Sequence, residues 1–213
     1  MRIAISGNIG VGKTTLVGRV SKHLDIPEHT EPIDETLLDF FYRSKKGEVF
    51  TKDNGEIIPI TEIEKLSQLA FLYNNMLREM KSMLDKRGGI YDRTLAEHLH
   101  IFAKTNLNRF DYNAFCGFQH ANFNFFKMIP RYDIIIVLTC DVEVMKQRIN
   151  KRNRTLETGI SDEYLTKLND LYNHNDFILD SQMFSDNVVK LDVTNLTEDE
   201  VFEDAIKIIN WEE

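Results

Sequence analysis

The stretch GNIGVGKTT, Gly7 to Thr15, decides the fold. Gly7, Gly12, Lys13 and Thr14 fit the pattern Gly-x-x-x-x-Gly-Lys-Thr. Glycines let backbone N–H groups converge on a phosphate, and a helix N-terminus adds partial positive charge. Lys13 brings a point charge to the outer phosphates, and the Thr14 hydroxyl can ligate Mg²⁺. The strand-like run RIAIS (2–6) comes before it and a helical pattern follows, which is the context the motif needs. Gly7, Asn8, Ile9, Gly10, Val11, Gly12, Lys13, Thr14 and Thr15 are therefore expected to hold a nucleoside triphosphate. Such a loop serves kinases, switch GTPases, motors and transporters alike, so the rest of the chain must name the acceptor.

Outward from this loop, short apolar stretches alternate with helical ones, which predicts an α/β fold with a parallel sheet. The strand candidates are RIAIS, GGIYD (88–92), YDIIIVLT (132–139) and NVVKLDV (187–193), with a weaker one near Ile26. YDIIIVLT is apolar throughout, as expected of a strand covered on both faces. From Thr61 to Leu84 apolar residues recur at three and four, which predicts a long helix. Thr61 with Glu64 has capping-box spacing at its start, and Gly88-Gly89 is expected to end it. Helices are also expected over 141–152, over 161–180, and from the Thr197/Glu200 capping box to about Asn210. Residues 43–60 are polar and lack helical period. They read as an inserted loop, with a hairpin turn at Asp53-Asn54-Gly55. One domain over residues 1–213 is expected.

The chain has 213 residues and a net charge of −8, which argues against free DNA or RNA as a partner. No apolar run reaches the roughly 20 residues of a membrane span, and Met1-Arg2 leads straight into a strand. The expectation is a cytoplasmic protein without membrane partners. Cys116 and Cys140 stand in no metal-like spacing and read as buried, reduced thiols.

Asp92 closes GGIYD and is followed by Arg93-Thr94. Strand C-termini face the ligand crevice of a parallel sheet. A carboxylate there can hold the Mg²⁺ shell, and the arginine can reach transferring phosphate oxygens. Read alone, the pair is also an N-cap aspartate with a surface arginine. Glu31-Pro32, after the weak second strand, offers a base for a hydroxyl nucleophile, or simply an exposed loop glutamate. In MKQRINKRNR, Arg148 and Arg152 share a helix face and, with Arg154, suit a lid over about 148–160; a basic helix C-terminus offsetting the macrodipole is the plainer reading.

With these pieces in order, the chain resembles the deoxynucleoside kinase family along most of its length. The matching pieces are GNIGVGKT, Glu31-Pro32, LLDFFYR with Tyr42, Gln68, Asp92-Arg93-Thr94, Phe102 in HIFAK, and Arg-x-x-x-Arg-x-Arg with Glu157 after it. The resemblance implies a P-loop kinase fold, a five-stranded parallel sheet flanked by helices with a lid region, and a homodimer. It implies ATP as donor, Mg²⁺ held by Thr14 and Asp92, and a deoxynucleoside as acceptor. Catalysis would rest on Glu31 as general base, with Arg93, Asp92 and Lys13. Arg148 and Arg152 would meet the transferring phosphate. Tyr42 and Glu157 would hold the 3′-hydroxyl, Gln68 the base edge, and Phe102 the base face.

Two positions depart from the family pattern. Asn75 stands where many relatives have arginine, and His98 where many have aspartate. That pair recognises amino-bearing bases in the relatives, so the preferred base does not carry over; His98 can meet the base or face solvent. A nucleoside monophosphate kinase of thymidylate-kinase type shares the loop, the Asp-Arg pair and the lid. Glu31, Gln68 and Tyr42 weigh against it, because a monophosphate is already an anion and needs no base. A nucleotide-dependent switch is the remaining alternative, and the chain has no Asn-Lys-x-Asp guanine motif.

Overall fold

In the computed structural model, residues 1–126, 131–152 and 160–210 are described. Five strands form one parallel sheet: β1 (Arg2–Gly7), β2 (Glu28–His29), β5 (Gly89–Asp92), β6 (Ile134–Thr139) and β7 (Val188–Asp192), in the spatial order β2-β5-β1-β6-β7. A separate two-residue pair, β3 (Phe50–Thr51) and β4 (Ile57–Ile58), is antiparallel.

Why β6 is apolar throughout is visible in its neighbours. Ile134, Ile136 and Leu138 pack with Ile3, Ile5 and Ile90 beneath α1 (Lys13–Leu24), α7 (Val142–Arg152) and α10 (Glu198–Asn210). Ile135 and Val137 point the other way, with Ala4 and Tyr91, against Leu72, Leu95, Leu168 and Tyr172. Both faces are covered, as parallel strands require. Each such side chain contributes about 1.5–3 kcal/mol by leaving water.

The long helix α3 runs Ile60–Ser82, close to the expected span. Its expected capping box does not form. Pro59 is the N-cap, Thr61 lies inside the first turn, and Glu64 instead pairs with Lys45 across from α2 (Glu35–Lys45). The helix also stops at Ser82, before the glycines; Gly88 serves the entry to β5 instead, where a side chain would collide with the Met1 carbonyl. Its buried face is largely polar, with Ser67, Gln68, Asn75, Arg78 and Glu79, whereas Leu66, Leu69 and Tyr73 are exposed.

The segment expected as a loop from residue 43 begins later, because α2 continues through Lys45. Beyond it β3 and β4 form the expected hairpin, with Gly55 at φ +82° and its N–H donating to the Lys52 carbonyl. The hairpin leans on α2 through Phe50 on Phe40 and through Arg43, which pairs with Glu48. The expected helix 161–180 is two, α8 (Asp162–Asn173) and α9 (Asn175–Ser181), broken at His174, whose ψ of 139° is extended. The Thr197/Glu200 box does form: Glu200 accepts from the Thr197 N–H and hydroxyl, both at 2.8 Å. Cys140 is buried as expected, but Cys116 is only half-buried, since it lies on the outer part of α6 (Arg109–Phe126).

Candidate active site

The phosphate loop leaves the C-terminal end of β1 and enters α1, with Gly12 as N-cap at φ +109°. An added Cβ at Gly12 would meet nothing within 4 Å, so the space above the helix N-terminus is open. At Gly10, by contrast, φ is +79° and an added Cβ would meet Ile149 at 2.7 Å. One glycine thus frees the nucleotide side and the other lets α7 pack from behind. Asn8 is buried and fixes the loop by donating to the Leu165 carbonyl and accepting from the Ile9 N–H.

Lys13 is buried and donates to the Asn8 carbonyl at 2.9 Å. Burial brings its pKa down to about 8; Arg93 lowers it too, against the pull of Asp92, Glu97 and Glu31. The Thr14 hydroxyl donates to Asp92 Oδ2 at 2.6 Å. Asp92 Oδ1 is buried without a partner. A hydroxyl beside a carboxylate with one uncommitted oxygen is a donor set that fits Mg²⁺, which prefers oxygen ligands and retains water.

Arg93 adopts φ +71°, a left-handed conformation that costs a residue with a side chain of order 1–3 kcal/mol. Its guanidinium is held through Nε and Nη1. Nε donates to Glu31 Oε2 at 2.8 Å, and Nη1 donates to Glu97 Oε1 at 2.8 Å and to the Gly7 carbonyl at 3.0 Å. Burial disfavours its charge, and Glu31, Tyr172 and Glu97 more than restore it, so the group is raised well above the ordinary arginine value. The guanidinium also lies 4.8 Å from the Phe102 ring centroid.

Glu97 is fully buried and was not singled out from the sequence. It accepts from Arg93, from the Tyr172 hydroxyl at 2.6 Å and from the Gly7 N–H at 3.3 Å, and its other oxygen accepts from the Thr94 N–H. It therefore ties the phosphate loop to Arg93. A signal existed: Thr94-Leu-Ala-Glu97 has capping-box spacing, and Glu97 follows Arg93 by one helical turn. After α4 (Leu95–Glu97), residues His98–Ala103 wind as a π-helix before α5 (Lys104–Asn106). Such turns are frequent at functional sites. This one carries both His98 and Phe102.

One cavity of about 280 Å³ unites most of the expected residues. Lys13, Thr14, Glu31, Asp92, Arg93 and Arg152 line it. Tyr42, Gln68, Asn75, His98 and Phe102 line it too. His98 is buried, which removes the solvent-facing alternative. Its pKa is brought down to about 3, by burial first and then by Arg93 and Arg78, so its imidazole is neutral. Asn75 donates to the Phe71 carbonyl, leaving Oδ1 buried without a partner. Asn106 and Tyr164 also line the cavity and bond each other, and no sequence signal marked them. None of residues 46–59 lines it.

A second cavity of about 500 Å³ opens on the other side of the phosphate loop. Gly10 to Leu16 line it, with Arg19, Arg148, Lys151, Arg152 and Leu196. Arg148 does not reach the first cavity. It donates to the Val11 carbonyl at 2.9 Å and to the Val193 carbonyl at 3.1 Å, bridging the loop to the end of β7. Arg152 lines both cavities. Arg154 and Glu157 lie outside the described residues.

The family model for deoxynucleoside kinases matches residues 3–211. The chain belongs to the deoxynucleoside kinase family. Among relatives of that family, it is 34% identical to a deoxyadenosine kinase of Dictyostelium discoideum over 80% of this chain and 64% of that protein. It is 27% identical to a deoxyadenosine/deoxycytidine kinase of Bacillus subtilis over 80% of this chain and 74% of that one. The match thus spans just under two thirds of the Dictyostelium kinase. A deoxyadenosine kinase from M. mycoides, solved with dCMP and dCDP as bound products, has the same fold, with a TM-score of 0.76, 24% identity and coverage of 99% of this chain and 100% of that one. The same kinase with bound dCTP gives a TM-score of 0.73 at 25% identity. A deoxynucleoside kinase fold therefore surrounds both cavities.

Proposed function

We propose that this protein transfers the γ-phosphoryl group of ATP to the 5′-hydroxyl of a deoxynucleoside. The observation that carries the reading is the first cavity: Glu31, Arg93, Lys13 and the Thr14/Asp92 pair share it with Tyr42, Gln68 and Phe102. ATP enters from the second cavity, its phosphates over Gly10 to Thr15. The deoxynucleoside fills the first, with Gln68 at the base edge, Phe102 on the base face, and Tyr42 on the 3′-hydroxyl.

Glu31 accepts the proton of the 5′-hydroxyl as its oxygen bonds to the γ-phosphorus and the bond to the β-phosphate oxygen breaks. Arg93 holds Glu31 in place through Nε. Lys13, Arg93 and Arg152 neutralise charge on the transferring group. Thr14 and Asp92 would hold Mg²⁺, which would neutralise phosphate charge when bound. Arg148 steadies the phosphate loop from its carbonyl contacts.

The relatives' names make deoxyadenosine, then deoxycytidine, the first acceptors to assay. Asn75 and His98 mark the end of the cavity where the base is selected. We also infer a cytoplasmic homodimer. Leu66, Leu69 and Tyr73 on α3 and Phe110 and Phe118 on α6 are exposed apolar rows that a second copy would cover. The decisive assay compares deoxynucleosides with their monophosphates under ATP–Mg²⁺. Product from the nucleosides supports the reading; product from the monophosphates alone overturns it.

A further inference from the structure

Arg78 lies on α3, is buried without lining the first cavity, and has no part in the mechanism above. Its guanidinium makes an unusual set of contacts for a helix arginine. Nη1 donates to the Asp92 carbonyl at 2.6 Å, and Nη2 donates to the Arg93 carbonyl at 2.9 Å. These are the two backbone carbonyls at the turn where β5 ends and Arg93 takes its left-handed φ. The edge strand β2 pairs only with Ile90 and Tyr91 of β5, so the ladder on that side stops before the turn. A buried carbonyl without a donor is costly, and a single planar fork satisfies both.

The fork is itself held from behind. Glu79 Oε1 accepts from Arg78 Nη2 at 2.7 Å and from the Tyr132 hydroxyl at 2.7 Å. Glu79 Oε2 accepts from Arg2 Nη2 at 2.7 Å, and the Arg2 guanidinium stacks over Tyr91. Four side chains from separate parts of the chain therefore fix one guanidinium whose outward bonds go to the Asp92-Arg93 backbone.

We propose that Arg78 is a positioning residue for phosphoryl transfer: it fixes the backbone turn that aims Asp92 at Thr14 and Arg93 at Glu31. Lysine cannot replace it, because one ammonium cannot present the two parallel donors that the carbonyls require. The inference rests on the reading that Arg93 acts in the transfer step.

The test uses Arg78→Lys and Arg78→Gln, Arg93→Lys, the double variant Arg78→Lys/Arg93→Lys, and Tyr132→Phe. Tyr132→Phe loosens the same buried cluster without touching either carbonyl. We expect Arg78→Lys and Arg78→Gln to lower kcat by about 10²-fold, as for a small misplacement of catalytic groups, with the KM for ATP nearly unchanged. Tyr132→Phe removes one bond to Glu79 behind the fork but leaves both carbonyl bonds, so it should lower the unfolding midpoint and lower kcat by far less than the Arg78 variants. If Arg78 acts through Arg93, the double variant should lose little beyond Arg93→Lys alone. Circular dichroism identifies which variants are folded. A folded Arg78→Lys or Arg78→Gln with normal kcat overturns the inference. So do equal kcat losses in Tyr132→Phe, or fully additive losses in the double variant. Normal turnover by Arg93→Lys removes the reading beneath it as well; impaired Arg93→Lys beside normal Arg78 variants removes this inference alone.

Discussion

Arg93 and Glu31 form a pair at 2.8 Å in which the arginine is buried and the glutamate keeps about a quarter of its side chain open to the cavity. The cation is fixed by Glu97 and Gly7, so Glu31 is the member whose second oxygen can meet a substrate hydroxyl.

Glu31→Gln keeps the shape and an acceptor for Arg93 but removes the base. We expect turnover of deoxynucleosides to fall by about 10²–10⁴ with ATP binding retained. Steady-state rates and ATP titration measure the two separately, and near-normal turnover would remove Glu31 from its role.

Glu97→Gln acts on stability as well as on the site. Glu97 is fully buried and paired with Arg93. Neutralising one partner of a buried ion pair leaves the other charge undercompensated, at a cost of about 3–5 kcal/mol. Urea unfolding should show a loss in that range, and an unchanged midpoint would contradict the role of Glu97 as the anchor of Arg93.

Lys13 titrates at about 8 in the free protein. Its neighbours Asp92, Glu97 and Glu31 favour the charge, while burial and Arg93 oppose it. The charged form exists below that pKa, so it is lost as pH rises. Because kcat/KM reports the free enzyme, kcat/KM for ATP should fall above about pH 8. A profile flat to pH 10 would contradict the combination of a lowered Lys13 pKa and a charged Lys13 needed for capture of ATP.

Gln68→Leu removes a buried hydrogen-bonding group from the cavity lining. We expect kcat/KM for deoxynucleosides to drop by about tenfold, the worth of a typical hydrogen bond, with the KM for ATP unchanged. Equal losses for both substrates would point to damage beyond the base pocket.

Leu69→Lys and Phe118→Lys place a charge within the exposed rows of α3 and α6. If those rows close a homodimer, sedimentation should show dimers for the parent protein and monomers for the variants. A monomeric parent would end that assignment.

The phosphate loop and the strand-helix alternation were legible in the sequence because each depends on local rules. The loop needs glycines at fixed spacing, and buried parallel strands must be apolar on both faces. The same locality explains the errors. Thr61 with Glu64 has the spacing of a cap, but Pro59 opens the helix and Glu64 is drawn to Lys45. In α3 the apolar rhythm marked a helix correctly, while the face turned inward carries Gln68, Asn75, Arg78 and Glu79. Which face of a helix is buried depends on what lies opposite, and here that is a cavity and an ion cluster.

The sequence by itself determined the parallel sheet, the phosphate loop and the identity of the groups at its rim, through residue type and spacing. Only the tertiary structure decided their partnerships. Glu31 reaches Arg93 across 62 positions of sequence, and Thr14 reaches Asp92 across 78. Arg78, Glu97 and Tyr172 converge on the same turn from different elements. Such contacts join segments brought together by folding, and a buried charge takes its meaning from the partners that surround it.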